Sequence, residues 1–162
     1  MEENLKQLQF PGTDIIKIAI YGPESTGKTT LSNQLADHFK TEWAPEFARD
    51  YLQQKWDSKK EICTPEDLLP IADGQMKLEN GALQKAKNYL FVDTCLMATK
   101  VFSEIYYGFC DSKLDKAARK HKYDLFFLTD IDVPWEKDDL RDKPEGRETV
   151  FSVFKQSLID NN

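Results

Sequence analysis

The chain has 162 residues, 40% hydrophobic and 31% charged. That is the ordinary make-up of one globular domain, long enough to bury about 70% of the surface its unfolded form exposes. Its 22 lysines and arginines against 28 acids leave a net charge of −6, which argues against a general nucleic-acid binder, since that needs a basic face.

No apolar run approaches the length of a membrane span. The acidic start MEENLKQLQF carries no apolar signal core. Cys63, Cys95 and Cys110 form no Cys-x-x-Cys pair, which suits a reducing cytoplasm.

Residues 1–13 read as a loose leader, and residues 14–162 as one domain. Ile15 to Tyr21 is a β-branched apolar run of strand length, predicting a buried strand. A Gly-rich turn follows, then helical spacing through Leu31, Leu35 and Phe39. Glu42–Ala44 is a weak second strand with Pro45 at a helix start.

Thr64-Pro65-Glu66-Asp67 combines an N-cap, a proline at the first helical position and acids facing the helix dipole. The helix it opens should run to about Lys87, with a break near Gly81. Tyr89–Asp93 and Leu125–Thr129 are the third and fourth strands, with helices over 96–106 and 113–120 between them. A charged segment from Asp130 to Glu148 precedes a last helix. Strands alternating with helices predict a three-layer α/β fold with a parallel sheet.

Gly22-Pro23-Glu24-Ser25-Thr26-Gly27-Lys28-Thr29, followed by Thr30, fits the phosphate-binding loop G-x-x-x-x-G-K-[ST] between a strand and a helix. Backbone N–H groups of such a loop curl around phosphate oxygens, and the next helix points its positive end at them. Lys28 would reach the β- and γ-phosphates of ATP, and the Thr29 hydroxyl would ligate Mg²⁺. Gly22 and Gly27 give the turn room and conformational freedom.

Asp93 ends an apolar strand. It is either the acid that positions the metal or a cap for the next helix. Glu46 and Arg49 share a helix face. They are either an exposed ion pair of small value or a general base or hydrogen-bond acceptor beside a substrate hydroxyl, with the arginine holding it or the incoming phosphate. Arg141 and Arg147, in the charged segment, are candidate cations closing over a transferred phosphoryl group. Trp135 is a lid anchor or a stacking plate. His38 and His121 are isolated and expected at the surface.

GPESTGKTTL, WAPEFARDYL, YLFVDTCLMATKVFSEIYYG and YDLFFLTDIDVPWEKDDLRD, in this order, resemble the P-loop kinase domain of bacterial NadR-type proteins, ribosylnicotinamide kinases and their relatives. The resemblance spans about Ile15 to Leu158. It implies phosphorylation of the ribose 5′-hydroxyl of nicotinamide riboside, or a similar nucleoside, by ATP–Mg²⁺. Lys28 and Thr29 then take the phosphate and metal roles, and Asp93 is the acid ending the third strand. Glu46 or Asp93 is the base, Trp135 the plate for the ring, and Arg141 and Arg147 the lid arginines, with a lid over about 130–148.

The alternative is a nucleotide-responsive ATPase or regulatory module with no metabolite acceptor. The resemblance also implies a strand order 2-3-1-4 with the family's fifth strand missing and no adenylyltransferase domain ahead of the kinase. The fourth strand would then be an exposed edge open to self-association.

Overall fold

The computed structural model describes residues 2–9, 14–141 and 145–161; parts of the expected leader and lid lie outside them. Among these residues four strands, β1 (Ile16–Tyr21), β2 (Trp43–Ala44), β3 (Tyr89–Asp93) and β4 (Leu125–Leu128), alternate with six α-helices. These are α1 (Lys28–His38), α2 (Phe47–Lys59), α3 (Leu68–Lys85), α4 (Leu96–Tyr107), α5 (Ser112–Lys120) and α6 (Arg147–Asn161). All strand pairs are parallel, in the order β2-β3-β1-β4, so the three-layer α/β expectation holds.

The central strand is buried on both faces, which is why it reads as continuous apolar sequence rather than as an alternation. Ile18, Ile20 and Phe91 pack against α1 through Ala36. Ala19, Tyr21, Leu90 and Val92 face the larger core of α3, α4, α5 and α6. There Phe154 of α6 is fully buried, edge-on to Tyr21 at 4.9 Å and to Phe102 at 5.1 Å. Burying one such ring stabilises the fold by about 1.5–3 kcal/mol. It fixes α6 against the sheet.

Three expectations are corrected. The start of the leader is not loose: Glu2–Leu5 forms a short 3-10 turn, Leu5 is buried, and Gln7 donates to Glu79 Oε1 at 2.9 Å. His121 lies under that segment, its Nε2 2.7 Å from Leu5 O, while His38 is exposed as expected. Helix α3 runs through Gly81 without a break. Its buried stripe of Leu68, Ile71, Ala72, Met76 and Leu83 holds the helix where propensity alone would weaken it. The Thr64–Asp67 start forms as read, with a two-way capping box.

At the far edge, β4 pairs with β1 alone among the described residues, and Leu125 (50%) and Phe127 (40%) stay exposed.

Candidate active site

Parallel strands bring their C-terminal ends to one rim of the sheet, where ligands collect. Tyr21, Ala44, Asp93 and Leu128 end there, so the loops that follow them build the site.

The loop after β1 has two glycines for different reasons. Gly22 (φ 150°) leaves no space: a Cβ there would sit 2.4 Å from Thr129 Oγ1. Gly27, the N-cap of α1 at φ 80°, has open space around it and is needed for its left-handed conformation. Thr26 Oγ1 donates to Pro23 O at 2.8 Å and lies 2.6 Å from Thr129 Oγ1. The loop is thus seated on the end of β4.

Glu24 to Thr30, Glu46, Arg49 and Arg141 line one cavity of about 160 Å³. Lys28 is buried, its ammonium donating to Pro23 O at 2.6 Å. Burial pulls its pKa down, against Glu46, Asp93 and Glu24, which hold the charge.

Thr29 Oγ1 donates to Asp93 Oδ2 at 2.6 Å. Asp93 is therefore not the helix cap that sequence left open; the N-cap of α4 is Cys95, without a side-chain cap. Two hard oxygen donors in contact beside a phosphate cradle suit Mg²⁺, which keeps waters and phosphate ligands and needs only one or two protein oxygens. Burial pushes the Asp93 carboxyl up, opposed by the Thr29 hydrogen bond and the Lys28 charge. Glu46, the half-buried N-cap of α2, is also raised by burial, with Lys28 opposing.

Glu46 and Arg49 do not form the bland i,i+3 pair. Arg49 Nη2 reaches Asp138 Oδ2, in the segment after β4, at 2.8 Å instead. Arg147 does not aim into the phosphate cavity. Its guanidinium donates to Val133 O at 2.9 Å and Ser25 O at 3.1 Å, bracing Ser25, a non-glycine residue at φ 57°. The Glu136 N–H donates to Ser25 Oγ.

Trp135 lies in an adjoining pocket with Phe102, Ile105, Tyr106, Arg147 and Val150, which shares Glu24 and Phe102 with the first.

Sequence reasoning missed Phe102, Tyr106, Asp138 and Thr129. The two aromatics stand four apart on α4, a spacing indistinguishable from ordinary core. Asp138 sits in a charge run, and nothing local marks Thr129.

Residues 17–162 match the family model described as an AAA domain. The chain belongs to that family. The AAA-domain chain is 32% identical over 147 residues to the trifunctional NAD biosynthesis/regulator protein NadR of Escherichia coli K12, covering 90% of this chain and 36% of that protein. The chain thus spans about a third of that curated relative.

Among solved structures, a NadR protein in complex with NAD and AMP-PNP superimposes with a TM-score of 0.71 at 19% identity, over 90% of this chain and 41% of that one. A NadR protein in complex with NR gives 0.67 at 18%, over 90% and 40%. At these identities the two likenesses show that this AAA-domain chain shares their fold. Among the described residues no helix is long and apolar enough to cross a membrane.

Proposed function

We propose that the chain is an ATP–Mg²⁺-dependent small-molecule kinase that phosphorylates the ribose 5′-hydroxyl of a nucleoside, with nicotinamide riboside the preferred acceptor. The observation that carries this reading is the convergence at one rim. A phosphate loop, the Thr29–Asp93 contact, the carboxylate of Glu46 and two arginines line or border one cavity, which adjoins a pocket lined by Phe102, Tyr106 and Trp135. An ATPase without an acceptor has no need of the second pocket. The NadR relatives support the acceptor class, and the cationic ring of nicotinamide riboside suits the face of Trp135.

The chain's own groups divide the work as follows. N–H groups of the loop and of the first turn of α1 bind the triphosphate. Lys28 exchanges Pro23 O for a phosphate oxygen. Thr29 and Asp93 would hold Mg²⁺, and the ion would supply charge neutralisation for the phosphates of the nucleotide.

Glu46 takes the proton of the acceptor hydroxyl, its raised pKa making it a stronger base than an ordinary glutamate. The hydroxyl oxygen forms the new bond to phosphorus as the bond to the ADP oxygen breaks. Arg49 and Arg141 stabilise the charge spread over the transferring group. Arg147 acts on the loop rather than on phosphate.

The test is ADP release with ATP–Mg²⁺, with and without nicotinamide riboside and a nucleoside panel. Release that depends on one acceptor class supports the reading. Release indifferent to every acceptor replaces it with the ATPase or regulatory module.

A further inference from the structure

Two of the site's arginines come from different elements, Arg49 from the first turn of α2 and Arg141 from the lid segment. Like charges brought together repel, so something must hold them. Asp138 Oδ2 lies 2.8 Å from Arg49 Nη2 and 3.4 Å from Arg141 Nε. Its other oxygen, Oδ1, accepts from the backbone N–H groups of Leu140 at 2.9 Å and Arg141 at 3.0 Å. One side chain thus fixes the turn that carries Arg141 and bridges both guanidinium groups. Arg141 Nη1 adds a hydrogen bond to Glu136 O, and Gln53 Nε2 reaches Asp139 beside the bridge.

An isolated ion pair at this exposure contributes little to stability. The geometry instead serves direction. A guanidinium offers five donors in a planar fork, and Asp138 contacts one nitrogen of each, so each is tethered at one end while other donors remain for an anion. Both arginines line the phosphate-loop cavity, both act electrostatically on Glu46, and Arg141 also acts on Lys28. Burial works upward on the Asp138 carboxyl, but the Arg49 hydrogen bond and the backbone N–H of Leu140 outweigh it, holding the carboxyl below its ordinary range and charged.

We propose that Asp138 is a positioning residue that holds Arg49 and Arg141 side by side, oriented toward the transferring phosphoryl group. The proposal rests on the kinase reading for the identity of that group.

The experiment compares Asp138→Asn with the full wild-type chain. Asparagine keeps an oxygen for the turn and removes the charge that holds the arginines. Expected are an unchanged Tm, a kcat lower by about 10- to 100-fold, the scale of a misplaced catalytic group, and an affinity for AMP-PNP within about threefold, since the phosphate loop is untouched. In an Arg49→Lys background the same change should cost less than it does in the wild type, because one of the two contacts through which Asp138 acts is already altered.

An unchanged kcat, multiplicative losses in the double variant, or tighter AMP-PNP with faster turnover would overturn the proposal; the last would make Asp138 a competitor of phosphate. Should wild type turn over no acceptor, the kinase reading fails by itself, and hydrogen exchange of the Arg49 and Arg141 guanidinium N–H groups, read by NMR, decides the holding role. Faster exchange in Asp138→Asn supports it and unchanged exchange refutes it.

Discussion

Gly22 lies against Thr129 so closely that a single added methyl would stand 2.4 Å from the threonine hydroxyl oxygen. The end of β1 and the end of β4 are thereby locked together, and the phosphate loop inherits its position from that contact. Gly22→Ala combines this clash with a φ of 150°, and overpacking of this kind costs about 1–3 kcal/mol. We expect AMP-PNP affinity to fall at least about tenfold, measured by calorimetry, while Gly27→Ala, which meets only the strain of its φ, should lose less.

The Thr29–Asp93 pair separates binding from turnover. In Asp93→Asn the loop still receives the triphosphate, but the oxygen that accepts from Thr29 loses its charge. We expect nucleotide binding without Mg²⁺ to persist and kcat to drop by about 10²- to 10³-fold, the scale of losing one preorganised electrostatic partner. Thr29→Ser keeps the hydroxyl and should retain most activity, with Thr29→Ala failing.

Glu46 gives a pH signature. Burial raises its carboxyl above the ordinary glutamate value, so the acid limb of kcat/KM should lie above about pH 4.3 and vanish with the residual activity of Glu46→Gln. Stability has a definite sign. Where the folded pKa exceeds the unfolded one, the folded state binds the extra proton, so stability falls as pH rises through that window. The wild type should therefore gain Tm relative to Glu46→Gln on acidification, seen in paired melts from neutral pH down to 4.

Trp135 should act on the acceptor alone. A cation over its ring is worth about 0.5–2 kcal/mol, so Trp135→Ala should raise KM for nicotinamide riboside several-fold with KM for ATP unchanged. Trp135→Phe should fall between, and a neutral nucleoside should feel the change less.

Phe154 tests the anchoring of α6. It is fully buried between Tyr21 and Phe102, and Tyr21 donates its hydroxyl hydrogen to Phe154 O at 3.1 Å. Truncation to alanine should destabilise the domain by about 3–5 kcal/mol, read as a lower midpoint in urea.

The strand-loop-helix start, the buried strands and the Thr64–Asp67 cap were legible because local sequence dictates them: a β-branched run, a glycine-bounded turn, a proline after a threonine. Asp93 was legible as an acid at a strand end, but its partner Thr29 lies 64 residues away, and only the β1–β3 register brings them together. The fates of Arg49 and Arg147 were not legible. Both sit near other charges in the chain, yet their partners, Asp138 and Ser25, come from distant loops gathered at the sheet rim. The docked leader escaped notice because a lone Leu5 carries no periodic signal, and its burial depends on α3 and on His121.

Mass spectrometry of the acceptor after incubation of the chain with ATP, Mg²⁺ and nicotinamide riboside bears most directly on the central claim. The account predicts a 5′-phosphorylated riboside formed in step with ADP and lost in Lys28→Ala. Unmodified riboside beside ADP and free inorganic phosphate would contradict it.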